Sequence, residues 1–249
     1  MAFVMKVTLV VAVAGAIPLA ACDSSENRGT TGPMAQDSAV TASSSCSTAS
    51  TGTVGPSCPG GRMAVAAQAN IFGAGSDFAP GPGGGGGGVL PPSMQLPEGS
   101  SVVTFPTVTG KITARMGSLP YTGPAGDGTG ETDITSYGGI SGIVDRRHGM
   151  FLIGVFLTDD PPSTSAPDRL DFSQNELFET LAPQVGQTFF VGDGGDRTFR
   201  VPLGATRLFL GFADAYSLGE SAASQGNYQG RPGYYDNNGG HLCVAVKPK

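Results

Sequence analysis

Tryptophan is absent from this 249-residue chain, and histidine occurs only twice. A His-rich metal site and a Trp-stacking groove are therefore excluded. Charged residues make up 14%, against about 25% in ordinary soluble domains. Basic residues are especially scarce: 14 Lys and Arg stand against 20 Asp and Glu, for a net charge of −6 and a pI near 4.8. A nucleic-acid binder carries a basic footprint, and this chain has none. What is plentiful is backbone punctuation, with 40 glycines and 19 prolines. The hydrophobic share of 39% is enough for a sizeable core only if the Gly and Pro residues are unevenly spread.

They are. Residues 7–21 read VTLVVAVAGAIPLAA, an apolar run behind Lys6 with small residues at its end. That is the layout of a signal peptide. The run is short for a membrane-spanning helix, which needs about 20 residues, and Pro18 interrupts it. Met5 is a plausible true start. The closing Leu19-Ala20-Ala21-Cys22 resembles the bacterial lipobox, which implies a signal peptide over 1–21 and lipidation of Cys22. Ordinary secretory cleavage at the same alanines is the alternative, and both export the chain. The lipid anchor implies a location in the bacterial cell envelope, with membrane contact through that N-terminal lipid only.

Residues 23–62 hold 15 Ser and Thr among 40 and almost no large apolar side chains. Such a stretch cannot bury enough surface to offset its ordering entropy, so residues 22–62 read as a disordered tether. A flexible coil of 40 residues spans roughly 35 Å, enough to hold a domain clear of a lipid surface. Cys46 and Cys58 are close enough in sequence to bridge within the tether, and Cys243 reads as a small buried thiol.

From Met63 the pattern changes to short apolar runs between Gly, Pro and Asp clusters. Strands are predicted near Met63–Gly75, Ser101–Phe105, Thr107–Ala114, Met150–Leu157, Thr188–Val191, Arg197–Val201, Arg207–Phe212 and His241–Val246. One short helix is predicted over Asp168–Leu181. The glycines of 81–88 read as a flexible surface loop between the first two strands. The whole predicts an all-β fold, a sandwich or barrel over 63–249.

Familiar catalytic signatures are missing. Gly139-Ile140-Ser141-Gly142 does not meet the G-x-S-x-G spacing of a nucleophile elbow. There is no HExxH, Walker A or CxxC pair. Gly192–Asp196 reads as a hairpin turn, and Asp145–His148 as a solvated turn whose histidine has no partner that spacing identifies. A Cys243–His241 dyad would lack an orienting third group. Paired carboxylates suited to glycoside hydrolysis cannot be singled out. Oxygen-bearing residues do gather at two places: Asp214 follows the strand Arg207–Phe212, and Asp236-Asn237-Asn238 precedes the last strand. Hard oxygen donors from two loops suit Ca²⁺, although Asp236–Gly240 reads equally well as a plain turn.

The run VPLGATRLFLG, then Asp214, then Pro232-Gly233 with Tyr234 and Asn237-Asn238, then the terminal strand, resembles the PA-I galactophilic lectin family. Ala67–Phe72, Tyr121–Asp127 and Phe189–Gly195 agree with it more diffusely. The resemblance covers roughly Met63 to Lys249. It implies a jelly-roll, galactose-binding-like β-sandwich, no enzymatic activity, and calcium-dependent binding of carbohydrate. It implies a calcium set of the Asp214, Asn237 and Asn238 side chains with main-chain carbonyls of Tyr234 and Tyr121, or of Met116 under a different gap placement. A one-residue slip would promote Asp236 and Asn237 instead; the phase of Leu242, Val244 and Val246 favours Asn237 and Asn238.

Sugar hydroxyls would then meet Asp214 and Asn237, with Tyr216, Tyr228, Tyr234 or Tyr235 packing on the sugar's apolar face. Two departures from the family matter, the first for the role of Asp214 and the second for galactose preference. Nineteen residues separate Asp214 from Tyr234, and the family's sugar-contacting His and Gln have no counterpart in Gly128–Ser136. A homo-oligomer is compatible with this reading. Two alternatives stand beside it: an envelope lipoprotein whose calcium only pins loops, and a glycosidase on a similar sandwich.

Overall fold

The computed structural model describes residues 56–128, 130–162, 165–215 and 230–249. Contacts divide the chain into Met1–Ser50 and Thr51–Lys249, and the second unit is the one described. Cys22, Cys46, the apolar leader, Tyr216 and Tyr228 lie outside the described residues.

Twelve strands are described: β1 (Met63–Ala66), β2 (Ser93–Gln95), β3 (Val102–Thr113), β4 (Thr132–Ile134), β5 (Ile143–Asp145), β6 (Ile153–Leu157), β7 (Leu170–Asp171), β8 (Thr180–Leu181), β9 (Thr188–Phe190), β10 (Thr198–Arg200), β11 (Arg207–Gly211) and β12 (Gly239–Pro248). They form a five-stranded sheet in the order β1-β12-β3-β10-β8, a four-stranded sheet β2-β11-β6-β9, and a small sheet β4-β5-β7. Pairing is antiparallel except at β10–β8 and β5–β7. The fold is all-β, a sandwich of the two larger sheets. No described helix is long and apolar enough to cross a membrane.

Aromatic side chains join the layers. Phe199 of β10 meets Phe189 of β9 with ring centroids 4.9 Å apart, so the contact runs from one large sheet to the other. Phe105 flanks Phe199 at 5.2 Å and Phe156 flanks Phe189 at 5.1 Å. All four are buried, with Val65, Leu242 and Val244 beside them in the core. Each fully buried side chain of this size contributes about 1.5–3 kcal/mol.

The two strands expected on either side of Pro106 are one continuous β3. Burial alternates through Val103 and Phe105, then changes phase to Val108. The ladder with β12 shifts register between Ala245 and Lys247, opposite this point. A proline cannot donate to a ladder, and it is tolerated where a bulge interrupts one.

Four expectations are corrected. No helix forms over 168–181, which instead carries β7, a turn and β8. Phe172 and Phe178 both enter the aromatic core, against Phe190 and Phe199; residues six apart cannot share a helix face. Gly192–Asp196 is no hairpin, because β9 and β10 belong to different sheets. Cys58 is bonded to Cys243, with Cα atoms 5.5 Å apart, so neither a Cys46–Cys58 bridge nor a free Cys243 thiol occurs. The folded part thus reaches back through the 3-10 turn Pro59–Gly61 to the end of the expected tether.

The fourth correction concerns the glycine-rich loop, which is packed and hydrogen-bonded. Buried Asn70 donates to the carbonyls of Pro80 and Gly87, closing the loop from both ends. Gly83 N–H donates to Pro232 O, and Gly84 O accepts from Tyr234 N–H, both at 2.8 Å. Gly86 (φ +83°) shows why no side chain fits, since a Cβ there would lie 1.9 Å from Asp236 Oδ2. The loop therefore lies directly against the 231–236 segment.

Candidate functional site

β11 ends at Gly211 and the chain continues as Phe212-Ala213-Asp214-Ala215. Phe212 exchanges hydrogen bonds with Ala69 and Ile71, which fixes this extension against the segment after β1. Asp214 is buried. Its Oδ1 accepts from Ala215 N–H at 2.7 Å, and its carbonyl accepts from Gly233 N–H at 3.1 Å. The 230–238 segment thus returns alongside Asp214 before β12 begins.

Tyr234 adopts a left-handed conformation (φ +66°) and precedes a 3-10 turn over Tyr235–Asn237. Tyr235 is completely buried. Its hydroxyl accepts from Asp214 N–H at 3.0 Å and donates to Phe212 O at 3.1 Å. Tyr235 therefore cannot pack on a sugar, which corrects its expected role; it is a brace that holds the main chain under Asp214. Burial and the neighbouring Asp214 charge push its phenol well above the ordinary value.

Asn238 is buried, and its amide donates to Ala67 O at 3.2 Å. Its side chain also favours the charged form of the Asp214 carboxyl. The carbonyl of Asn237 accepts from Met116 N–H at 2.9 Å, bringing in the loop that follows β3. Thr113 shapes that loop, its hydroxyl contacting the carbonyls of Arg115 and Leu119. A Cβ on Gly239 would lie 2.4 Å from Met116 Cγ and 2.8 Å from the Tyr121 hydroxyl, so glycine is needed for this approach. Met116 meets this segment by both its N–H and its side chain, whereas Tyr121 meets it by its ring.

Among the described residues, the buried side-chain polar atoms left without a hydrogen-bond partner are Asp214 Oδ2, Asn237 Oδ1 and Asn238 Oδ1. Buried acceptors in this state cost about 1–3 kcal/mol each, and more when charged. Burial raises the Asp214 carboxyl to about 7, against the opposing effects of Asn238, the Ala215 N–H and the Arg115 charge. An all-oxygen set with one carboxylate fits a hard divalent cation. Asp236 does not join the set. Its Oδ1 accepts from Gly88 N–H at 2.9 Å, which turns the carboxylate toward the glycine-rich loop.

A cleft of about 580 Å³ lies elsewhere, between Phe178 and the Asp193–Thr198 segment. None of the three orphaned oxygens lines it, and Arg197 at its edge is already bonded to the Asp193 carboxylate and to the carbonyls of Glu176, Val191 and Gly194. Volume and chemistry disagree here, and the orphaned oxygens are the more specific sign of a ligand. Compared with protein-family models and with curated proteins, the chain matches none.

Proposed function

We propose that the chain is an exported, lipid-anchored protein that binds carbohydrate in a calcium-dependent, lectin-like manner. One observation carries the reading. Among the described residues, the oxygens of Asp214, Asn237 and Asn238, which the family resemblance assigns to calcium, are the buried side-chain acceptors with no partner. These three side chains would hold the ion, with main-chain carbonyls from Tyr234 and from Met116 or Tyr121. Bound there, calcium supplies a hard centre on which neighbouring sugar hydroxyls can replace water. Asp214 accepts a hydrogen bond from such a hydroxyl, and the Asn237 amide donates or accepts. Tyr121, half exposed beside Gly239, offers its ring to the apolar face of the sugar in place of Tyr235. One formal negative charge among the ligands argues for weak calcium affinity, with a Kd of about 10⁻⁴–10⁻³ M as in extracellular modules.

The Cys58–Cys243 disulfide supports the export half of the proposal, since such bonds persist in oxidising compartments. Cys22 would carry the lipid.

A glycan array probed with and without EDTA tests the binding half. Sugar binding that disappears with EDTA is the expected result. A calcium-induced rise in melting temperature with no sugar bound would replace it with a structural role, and release of sugar from a chromogenic glycoside would replace it with an enzyme.

A further inference from the structure

The turn after β5 is not the solvated turn expected from its sequence. Asp145, the last residue of β5, has a fully buried side chain, and His148 has two partners. Its Nδ1 lies 2.5 Å from Glu176 Oε1 and 3.4 Å from Asp145 Oδ2. The three donor atoms all lie within 4.8 Å of one another. Sequence spacing hides this cluster, because Glu176 comes from the loop after β7 and only the parallel β5–β7 pairing brings it across.

We propose that Asp145 Oδ2, His148 Nδ1 and Glu176 Oε1 form a binding site for a divalent transition metal of the zinc class, separate from the Asp214 site. One imidazole nitrogen with two carboxylate oxygens is a borderline donor set. It suits zinc, manganese or iron better than calcium, which takes oxygen alone. Zinc bonds of about 2.0–2.2 Å place tetrahedral ligand atoms roughly 3.3 Å apart. The His148–Asp145 separation already has that value, and the His148–Glu176 pair needs to open by under about 1 Å.

A single Nδ1 proton can serve only one of the two carboxylates well, whereas an ion between them serves both.

The supporting shell is in place. Asp145 Oδ1 accepts from Arg147 N–H at 2.9 Å, which orients the other oxygen. Thr132 Oγ1 donates to His148 O at 2.9 Å. Ser173 Oγ accepts from Arg146 N–H at 2.9 Å and donates to Asp171 Oδ1, tying the β5 turn to the β7 loop. Arg147 donates to Glu176 Oε1 at 2.8 Å and fixes that carboxylate as an outer-shell partner does. The His148 side chain is 24% exposed and that of Glu176 13%, so the cluster can be reached from solvent.

Among the described residues, Cys58, His241 and Cys243 form the other cluster of this kind, but their sulfurs are spent on the disulfide. The test therefore uses the full chain with that bond intact and calcium saturating. Zinc titrated calorimetrically is expected to bind one equivalent per chain. H148Q and E176Q are each expected to weaken it by more than about 100-fold, beyond the roughly 10–100-fold that loss of an outer-shell contact costs. H241Q and D214N are expected to retain it. A second readout needs no variant at the site: in H241Q the His148 ring nitrogen is the only imidazole signal in a ¹H–¹⁵N spectrum, and zinc is expected to move it. No zinc uptake under calcium, unchanged uptake by H148Q, or an unmoved His148 resonance would each overturn the proposal.

Discussion

Asp214 is the residue on which the candidate site turns, and its ionisation has a definite sign. Burial raises its carboxyl from 3.8 to about 7, so without calcium the folded protein keeps a proton that the unfolded chain releases. The Asp214 contribution to calcium-free stability should therefore be fully present below about pH 4 and be lost as pH rises to about 7. The loss amounts to roughly 4 kcal/mol at about 1.4 kcal/mol per pH unit. Asp214→Asn should flatten that dependence, which denaturant unfolding at several pH values in EDTA would show. Calcium competes with the same proton, so its affinity should rise over the same interval. Tyr235→Phe makes a separate prediction. It strands the buried Asp214 N–H and removes the donor to Phe212 O. Unfolding should cost about 2 kcal/mol less, and calcium should bind more weakly. Asp214, Asn237 and Asn238 stand out in the sequence because their residue types and spacing carry the resemblance, and they hold the orphaned buried oxygens among the described residues. Tyr235 was misread because its neighbour Tyr234 is equally aromatic, and only the fold shows which of the two turns inward.

Strands were readable at the level of elements wherever alternation and burial coincide, as in β11 and β12. Reading failed where apolar residues reach the core without a regular period, as at Phe172 and Phe178, which imitate a helix in composition. The glycine-rich loop was readable as a loop but not as a packed one, because its hydrogen-bond partners lie far away at Pro232, Tyr234 and Asp236. Its packing separates two substitutions that look alike in sequence. Gly84 and Gly86 both have positive φ, yet a Cβ at Gly84 meets nothing within 4 Å, whereas one at Gly86 strikes the Asp236 carboxylate. Gly84→Ala should cost about 1 kcal/mol of backbone strain. Gly86→Ala should cost more and also lower calcium affinity by displacing the turn that carries Asn237. Paired melting and calcium titrations of the two variants check this.

Across the whole unit the disulfide spans 185 residues and joins the start of the fold to its last strand. In a chain-entropy account, closing a loop of that length stabilises by about 5 kcal/mol. Reduction under native conditions should lower the melting temperature sharply while leaving calcium binding intact below it, since neither sulfur touches Asp214 or Asn238. Its pairing was not legible, because spacing favours the near partner Cys46 while strand order sets Cys58 beside β12 through β1. The architecture itself was legible from the many short alternating runs, whereas the sheet order was not.

Calcium titration of the intact chain by calorimetry, beside Asp214→Asn, probes the account most directly. One ion per chain should bind with a Kd of about 10⁻⁴–10⁻³ M, and the substitution should abolish it. Absence of binding heat in the unaltered protein, or equal binding by the variant, would contradict the claim that these buried oxygens await a hard cation.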